Sequence, residues 1–390
     1  MRAGIACLIL AYVMSQFYRA FLAVLTPMLK ADLGLGAEQL SNASGLWFLG
    51  FALMQLPIGW ALDRIGPRRT VVTLFALGAG GGAAVFATAQ GATGINVAMA
   101  LIGVGCAPVL MSSYYIFARS FPGAMVGTLA GITIGTGSLG NILGSLPLAW
   151  AAQTFGWRGC MWGLSALTLA IAAALAVLVR DPPRVIHHEK GSLLDLLRMP
   201  QFWPLLVMMF VCYYPVAGLR GLWIGPYFAD VYGADQARIG MASLMMALAI
   251  VAGNYAYGPL DRIFGTRKWV ILGGNLLCAA CILALWARPA GGEVFSMAML
   301  AGVGLFGASF PMVLTHGRAF VPPHLMGRGV TLLNFSGIGA VGIAQIVTGR
   351  IHAAAPKDPA SAPYAAVFLW VAISLLAGLA VYAFAQDRTD

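Results

Sequence analysis

The chain has 390 residues, of which 60% are hydrophobic and only 9% charged, and its mean hydropathy is +0.84. Soluble domains carry about 25% charged residues, so this composition excludes an ordinary water-soluble protein. The net charge of +10 does not point to nucleic acid, because Lys and Arg sit in short clusters between apolar runs and not along one polar face.

Apolar runs fall at about 4–29, 42–62, 69–89, 94–118, 124–150 and 159–179. After a polar stretch they resume at about 202–229, 238–260, 268–287, 294–316, 326–350 and 364–385. Runs near the ~20 residues that cross a bilayer must be helical, since lipid offers no partner to an open backbone. The expectation is an all-α membrane protein with twelve transmembrane helices in two six-helix halves. The halves span 1–180 and 202–390, joined by a cytoplasmic connector at 181–201 that holds Asp181-Pro182-Pro183 and His187-His188-Glu189-Lys190. The first run begins behind Arg2 but continues past Leu22 without a small-residue cleavage site, which argues for a membrane helix over a signal peptide. Lys and Arg on alternate loops number fifteen on the N-terminal side and six opposite, with Arg19 and Arg220 inside helices. The positive-inside rule then places both termini in the cytoplasm.

Within the first run, Tyr12, Gln16 and Arg19 recur at i, i+4, i+7, the spacing of one helix face. The seventh run offers a looser parallel in Met209, Tyr213 and Arg220. An ionisable group inside a membrane is costly and marks a substrate path by default; the bland alternative is an arginine snorkelling to an interface. Tyr114 and Tyr115 in the fourth run are aromatic candidates for a cavity wall, although membrane aromatics also form interfacial belts. Small residues crowd the fifth run, with Gly127, Gly131 and Gly135 four apart and Gly140 and Gly144 beyond. This suits close helix packing or a rocking interface. Met241 and Met245 stand one turn apart in the eighth run. Soft sulfur ligands suit Cu(I), yet methionine is ordinary helix packing. All 13 acids fall in loops or at helix ends, so carboxylate-driven proton symport is not expected. His316 is the remaining titratable candidate, and uniport or exchange is the simpler expectation. Six cysteines in or beside apolar runs imply no disulfide framework.

Two loops repeat. Gly59-Trp60-Ala61-Leu62-Asp63-Arg64-Ile65-Gly66-Pro67-Arg68-Arg69 follows the second run. Gly258-Pro259-Leu260-Asp261-Arg262-Ile263-Phe264-Gly265-Thr266-Arg267-Lys268 follows the eighth, 198 residues on from Asp63 to Asp261. Ala118-Arg119-Ser120-Phe121 and Gly317-Arg318-Ala319-Phe320 repeat at 199, so an internal duplication is expected. Parallel repeats of this kind place a substrate near the bilayer midplane, between the halves.

The loop Gly59-x-x-x-Asp63-Arg64-x-Gly66-x-Arg68-Arg69 resembles the signature of the major facilitator superfamily. Asp261, Arg262, Gly265, Arg267 and Lys268 resemble its second-half copy, which has Tyr257 in place of Gly59. The resemblance implies the major facilitator fold and a cytoplasmic gate latch at these residues. Gly59 and Gly66 would allow close approach and a tight turn, while Asp63 would accept from a helix N-terminus and pair with arginines. At a finer level, Ser15-Gln16-Phe17-Tyr18-Arg19-Ala20-Phe21-Leu22-Ala23 is similar to the proteobacterial CcoA-like group. That resemblance implies import of riboflavin or copper. No His-x-x-x-Met occurs here, which favours riboflavin or a similar flat solute, with copper at Met241 and Met245 or a small nitrate-type anion at Arg19 and Arg220 as alternatives. The remaining expectations are a monomeric transporter in a bacterial inner membrane, with no enzymatic motif, no cofactor, no resident metal and no nucleic-acid partner. Its partners are a small-molecule substrate and the lipid bilayer.

Overall fold

A computed structural model describes residues 2–182, 193–322 and 325–388. His187, His188, Glu189 and Lys190 of the expected connector lie outside these residues. The chain divides into two compact units, Met1–His187 and His188–Asp390.

The first unit holds α1, in two segments Arg2–Phe17 and Phe21–Leu33, followed by α2, Ala37–Arg64. Then come α3, Pro67–Thr88, α4, Ala92–Ser120, α5, Gly123–Leu143, and α6, Leu146–Leu178. The second unit holds α7, Pro200–Tyr232, α8, Gln236–Phe264, and α9, Lys268–Ala287. It closes with α10, Glu293–Arg318, α11, Met326–Ala354, and α12, Ala362–Tyr382. Among the described residues ten helical stretches are long and apolar enough to cross a membrane, or eleven when the bent α1 pair counts as one span. The 21-residue α5 stands beside them as a further helix.

Inside each unit the helices pair in the same order. In the first, α2 packs on α4, α1 on α5, and α3 on both α4 and α6; in the second, α8 packs on α10, α7 on α11, and α9 on α12 and α10. The duplication read from two loops therefore extends to packing. Lipid tails are as apolar as leucine, so these pairs are held by close packing of small residues rather than by hydrophobic sorting. A Cβ at Gly103 would fall 2.1 Å from the Trp47 carbonyl, and one at Gly140 1.9 Å from the Val13 carbonyl. Glycine is required at both.

Four segments depart from the hydropathy reading. α1 is not one straight helix but bends by 47° at Tyr18-Arg19-Ala20. Neither Pro nor Gly causes the break. The amides of Arg19 and Ala20 reach back three residues to Gln16 and Phe17 at 3.3 and 3.0 Å, and the buried Tyr18 phenol lies 3.0 Å from Thr168 Oγ1 of α6. The fifth run ends at Leu143, and α6 begins at Leu146 and turns at Gly156, whose φ of 70° favours glycine. α7 contains a π-turn over Leu219–Trp223. α11 continues to Ala354, so His352 lies in its last turn.

Candidate substrate site

In the first unit the α1 break sets Arg19 off the preceding helix. Tyr12 and Gln16 do share a face, since Gln16 Nε2 donates to the Tyr12 hydroxyl at 2.7 Å. Arg19 leaves that helical register. Its guanidinium lies 4.9 Å from the Phe51 ring centre and 5.5 Å from that of Trp47, both on α2. Cation–π attraction at these distances holds a guanidinium in place without neutralising it. The Tyr12 ring packs against Gly137 of α5, where a Cβ would meet it at 2.4 Å. Tyr114 of α4 is within electrostatic reach of Tyr12. Tyr12, Gln16 and Tyr114 thus assemble around the α1–α5 contact, while Gly131 of α5 faces open space.

The second unit repeats this arrangement at α7. Met209 is buried and its methyl sits 3.2 Å from where a Cβ at Gly337 would lie. The Tyr213 ring stands 4.5 Å from Phe310 of α10. Arg220 is buried inside the π-turn and within electrostatic reach of Tyr213. Tyr12 to Arg19 and Tyr213 to Arg220 carry the same seven-residue spacing, and both pairs repeat 201 residues apart. Hydropathy reading compared Met209, Tyr213 and Arg220 as a loose parallel; the tyrosine–arginine spacing was the sharper signal. Each arginine also sits at an irregular turn, and π-turns recur at functional sites. Met241 and Met245 do not join this cluster's buried core. They lie 39% and 37% exposed on α8, and no group of three or more His, Cys, Asp or Glu able to hold a metal occurs among the described residues.

At the basic end of each unit the duplicated loop forms a cluster, with partners other than those expected. Gly66, at φ 105°, makes the tight turn before Pro67. Gly59 has nothing within 4 Å of its Cβ direction, so close approach does not explain it. The N-terminus of α3 is capped not by Asp63 but by Asp181, whose Oδ1 accepts the Arg68 amide at 2.8 Å. Asp63 instead accepts the Tyr115 hydroxyl at 3.0 Å and lies 3.8 Å from Arg119, whose guanidinium stacks 4.1 Å over the Tyr115 ring. Tyr115 therefore belongs to this cluster and not to a cavity wall. Arg64, Arg68 and Arg69 are exposed.

In the second unit Asp387 takes the place of Asp181. Its Oδ1 accepts the amides of Arg267 and Lys268 at 3.2 and 3.0 Å, and Thr266 donates to its other oxygen. Burial pushes the Asp387 carboxyl up, but these donors outweigh it and hold the group below the usual carboxylate range. Arg267 Nε donates to Asp261 at 3.3 Å. Tyr257, where the first copy has glycine, donates to the Phe306 carbonyl at 2.6 Å and ties α8 to α10. A cavity of about 670 Å³ opens here, lined by Asn254, Tyr257, Asp261, Arg262, Gly265 and Arg267 among others. His316 is buried, its ring nitrogens 2.7 Å from the Tyr382 hydroxyl and 3.1 Å from the Gln386 carbonyl. The Arg388 amide also donates to Nε2 at 3.3 Å, so this histidine fastens the C-terminal segment to α10.

Residues 8–344 match the family model described as Major Facilitator Superfamily. The chain is 24% identical over 307 residues to a probable sulfoacetate transporter of Cupriavidus necator, spanning 71% of this chain and 70% of that one. It is 24% identical over 319 residues to the hexuronate transporter of Escherichia coli strain K12, spanning 73% of each. Among solved structures, a bacterial homologue of the human lysosomal transporter Spinster, inward-facing and occupied, superposes with a TM-score of 0.79 at 18% identity. That match covers 98% of this chain and 96% of the other. A D-xylose–proton symporter superposes at 0.76 and 12% identity, over 98% of each. With the family match spanning most of its length and the duplicated helical fold described above, this chain belongs to the Major Facilitator Superfamily and is a secondary transporter.

Proposed function

We propose that the chain carries a small organic anion, and that Arg19 supplies its principal contact. The observation that supports this reading most is the placement of Arg19 in the α1 break, half-buried over Trp47 and Phe51. A guanidinium presents five donors that match carboxylate and sulfonate oxygens, and a partly desolvated one strengthens that attraction. The relatives' names agree in chemistry: sulfoacetate, hexuronate and galacturonate are all anions at neutral pH. A neutral flat solute such as riboflavin has no comparable need of a half-buried cation. For copper, the methionine pair on α8 is exposed, and no group of three or more His, Cys, Asp or Glu able to hold a metal occurs among the described residues. Tyr12, Gln16 and Tyr114 supply directional hydrogen bonds for substrate hydroxyls, and Tyr213 with Arg220 forms the corresponding group in the second half. The Asp63 and Asp261 clusters act as breakable clasps during alternating access. The excess of Lys and Arg on the N-terminal side supports a reading in which both termini face the cytoplasm and the membrane is a bacterial inner membrane.

Ligand-induced thermal stabilisation of the purified protein tests this directly. Galacturonate at 100 times its dissociation constant should stabilise the fold by about 2.7 kcal/mol. Truncating one partner of a buried charged contact costs roughly 2–5 kcal/mol. Arg19→Ala should therefore weaken binding by about 30-fold or more without lowering the unliganded melting temperature by a similar amount. Stabilisation retained in Arg19→Ala removes Arg19 from the site.

A further inference from the structure

At the end of the second unit opposite Asp261 and Asp387, three helices gather titratable groups around His352. Its ring lies 4.8 Å from that of Tyr364 in α12 and 5.3 Å from that of Trp223 in α7. The buried Tyr364 donates its hydroxyl to the exposed Asp230 of α7 at 2.5 Å. One turn further in, Thr348 accepts the Trp223 indole N–H at 3.2 Å and the Tyr214 hydroxyl at 3.1 Å. Beyond it, Gln345 donates to the Gly218 carbonyl at 3.0 Å. Gln345, Thr348 and His352 share one face of α11 by their spacing. A polar track thus runs through an apolar unit, from an exposed carboxylate to the backbone that precedes Arg220. Trp223 links the two ends, because it contacts His352 and closes the π-turn that holds Arg220.

We propose that His352 is a proton-binding site, with Asp230 as its counter-charge and the Arg220 π-turn as the element it biases. Imidazole is the side chain whose charge changes near neutral pH. An imidazolium is attracted to the faces of Trp223 and Tyr364 and to the carboxylate that Tyr364 holds. The proton arrives from solvent at the Asp230 end and forms an N–H bond on the ring. Opposing it are Lys357, whose Nζ donates to the His352 carbonyl at 2.6 Å, the exposed Arg350 one half-turn back, and Arg220 itself. Tyr227, its ring 5.3 Å from Tyr364, faces the same cluster from α7 and lies 3.2 Å from the Tyr232 hydroxyl. On the anion reading above, the site has a further use. An anion entering an inside-negative compartment moves against the electrical potential, and a proton taken up with it cancels that charge. Proton and anion then favour each other's binding by the same factor.

The first test needs no substrate: tryptophan fluorescence of the purified full-length protein, titrated from pH 5 to 8.5. An imidazolium quenches an adjacent indole, so a pH-dependent step is expected in the native chain and absent from both Trp223→Phe and His352→Gln. Asp230→Asn should move its midpoint to lower pH, since the charge that favours the imidazolium is gone. No step, or a step untouched by His352→Gln, overturns the site. The second test uses proteoliposomes with galacturonate and sulfoacetate as probes. His352→Gln should reduce accumulation driven by an inward proton gradient at least tenfold while leaving counterflow exchange intact. Gradient-driven accumulation unchanged in the variant overturns the coupling. Failure of both probes to move, with the fluorescence step intact, removes the anion reading and leaves the proton site standing.

Discussion

Arg19 and Arg220 show how a single residue's chemistry survives a change in its local structure. Reading the first run as one helix placed Tyr12, Gln16 and Arg19 on one face, and this holds only for the first two. The bend that displaces Arg19 coincides with the contact of Tyr18 to Thr168, 150 residues apart, and no proline or glycine at the break announces it. The acids behave similarly. Asp63 was legible as a partner for arginine, but its partner is Arg119 from α4, and helix capping falls to Asp181 and Asp387, which sequence separation hides. Their energetics should differ. Asp63 has a largely exposed side chain, so Asp63→Asn should change stability by less than about 1 kcal/mol. Asp181→Ala leaves an uncapped helix start and should cost about 1 kcal/mol. Asp387 adds a pH signature. Because its folded carboxyl is held below the usual range, its stabilisation is present above the unfolded value near ~3.9 and is lost as pH falls through the lower folded value. The melting-temperature gap between native protein and Asp387→Asn should hold constant from pH 7 to 5 and close only below about pH 4.

Among the elements, the apolar runs gave nearly all helices and missed their interruptions. Hydropathy averages over a window, so a three-residue bend in α1, a π-turn in α7 and a glycine corner at Gly156 leave no trace in it. The one-turn extension of α11 mattered most, because it brought His352 onto a helix face with Thr348 and Gln345. Glycine spacing in the fifth run was visible, but its meaning was mixed. Gly140 and Gly137 seat α5 on α1, whereas Gly131 touches nothing. We therefore expect Gly140→Ala to force a shift against the Val13 carbonyl and to destabilise by about 1–3 kcal/mol. Gly131→Ala should be neutral or slightly stabilising, since alanine is the better helix former. Thermal unfolding of the two variants side by side checks the contrast.

For the whole molecule, the duplicated loops were enough to predict two related halves, and the common pairing order of helices within each half agrees. The identity of the cargo was not readable in the same way. The similarity around Ser15–Ala23 suggested riboflavin or copper, whereas the relatives carry organic-acid names. A motif shared by a short stretch of one helix reports fold ancestry more than it reports the groups lining a site; on the anion reading proposed above, the repeated tyrosine–arginine pair is the better guide to charge. The most direct measurement is uptake by proteoliposomes of labelled galacturonate, sulfoacetate, riboflavin and copper(I), each with native protein and with Arg19→Ala. An organic-anion carrier should show saturable uptake of at least one acid, competed by the other and lost in the variant, with riboflavin and copper at background. Saturable riboflavin or copper uptake that survives Arg19→Ala, with both acids excluded, would contradict the account.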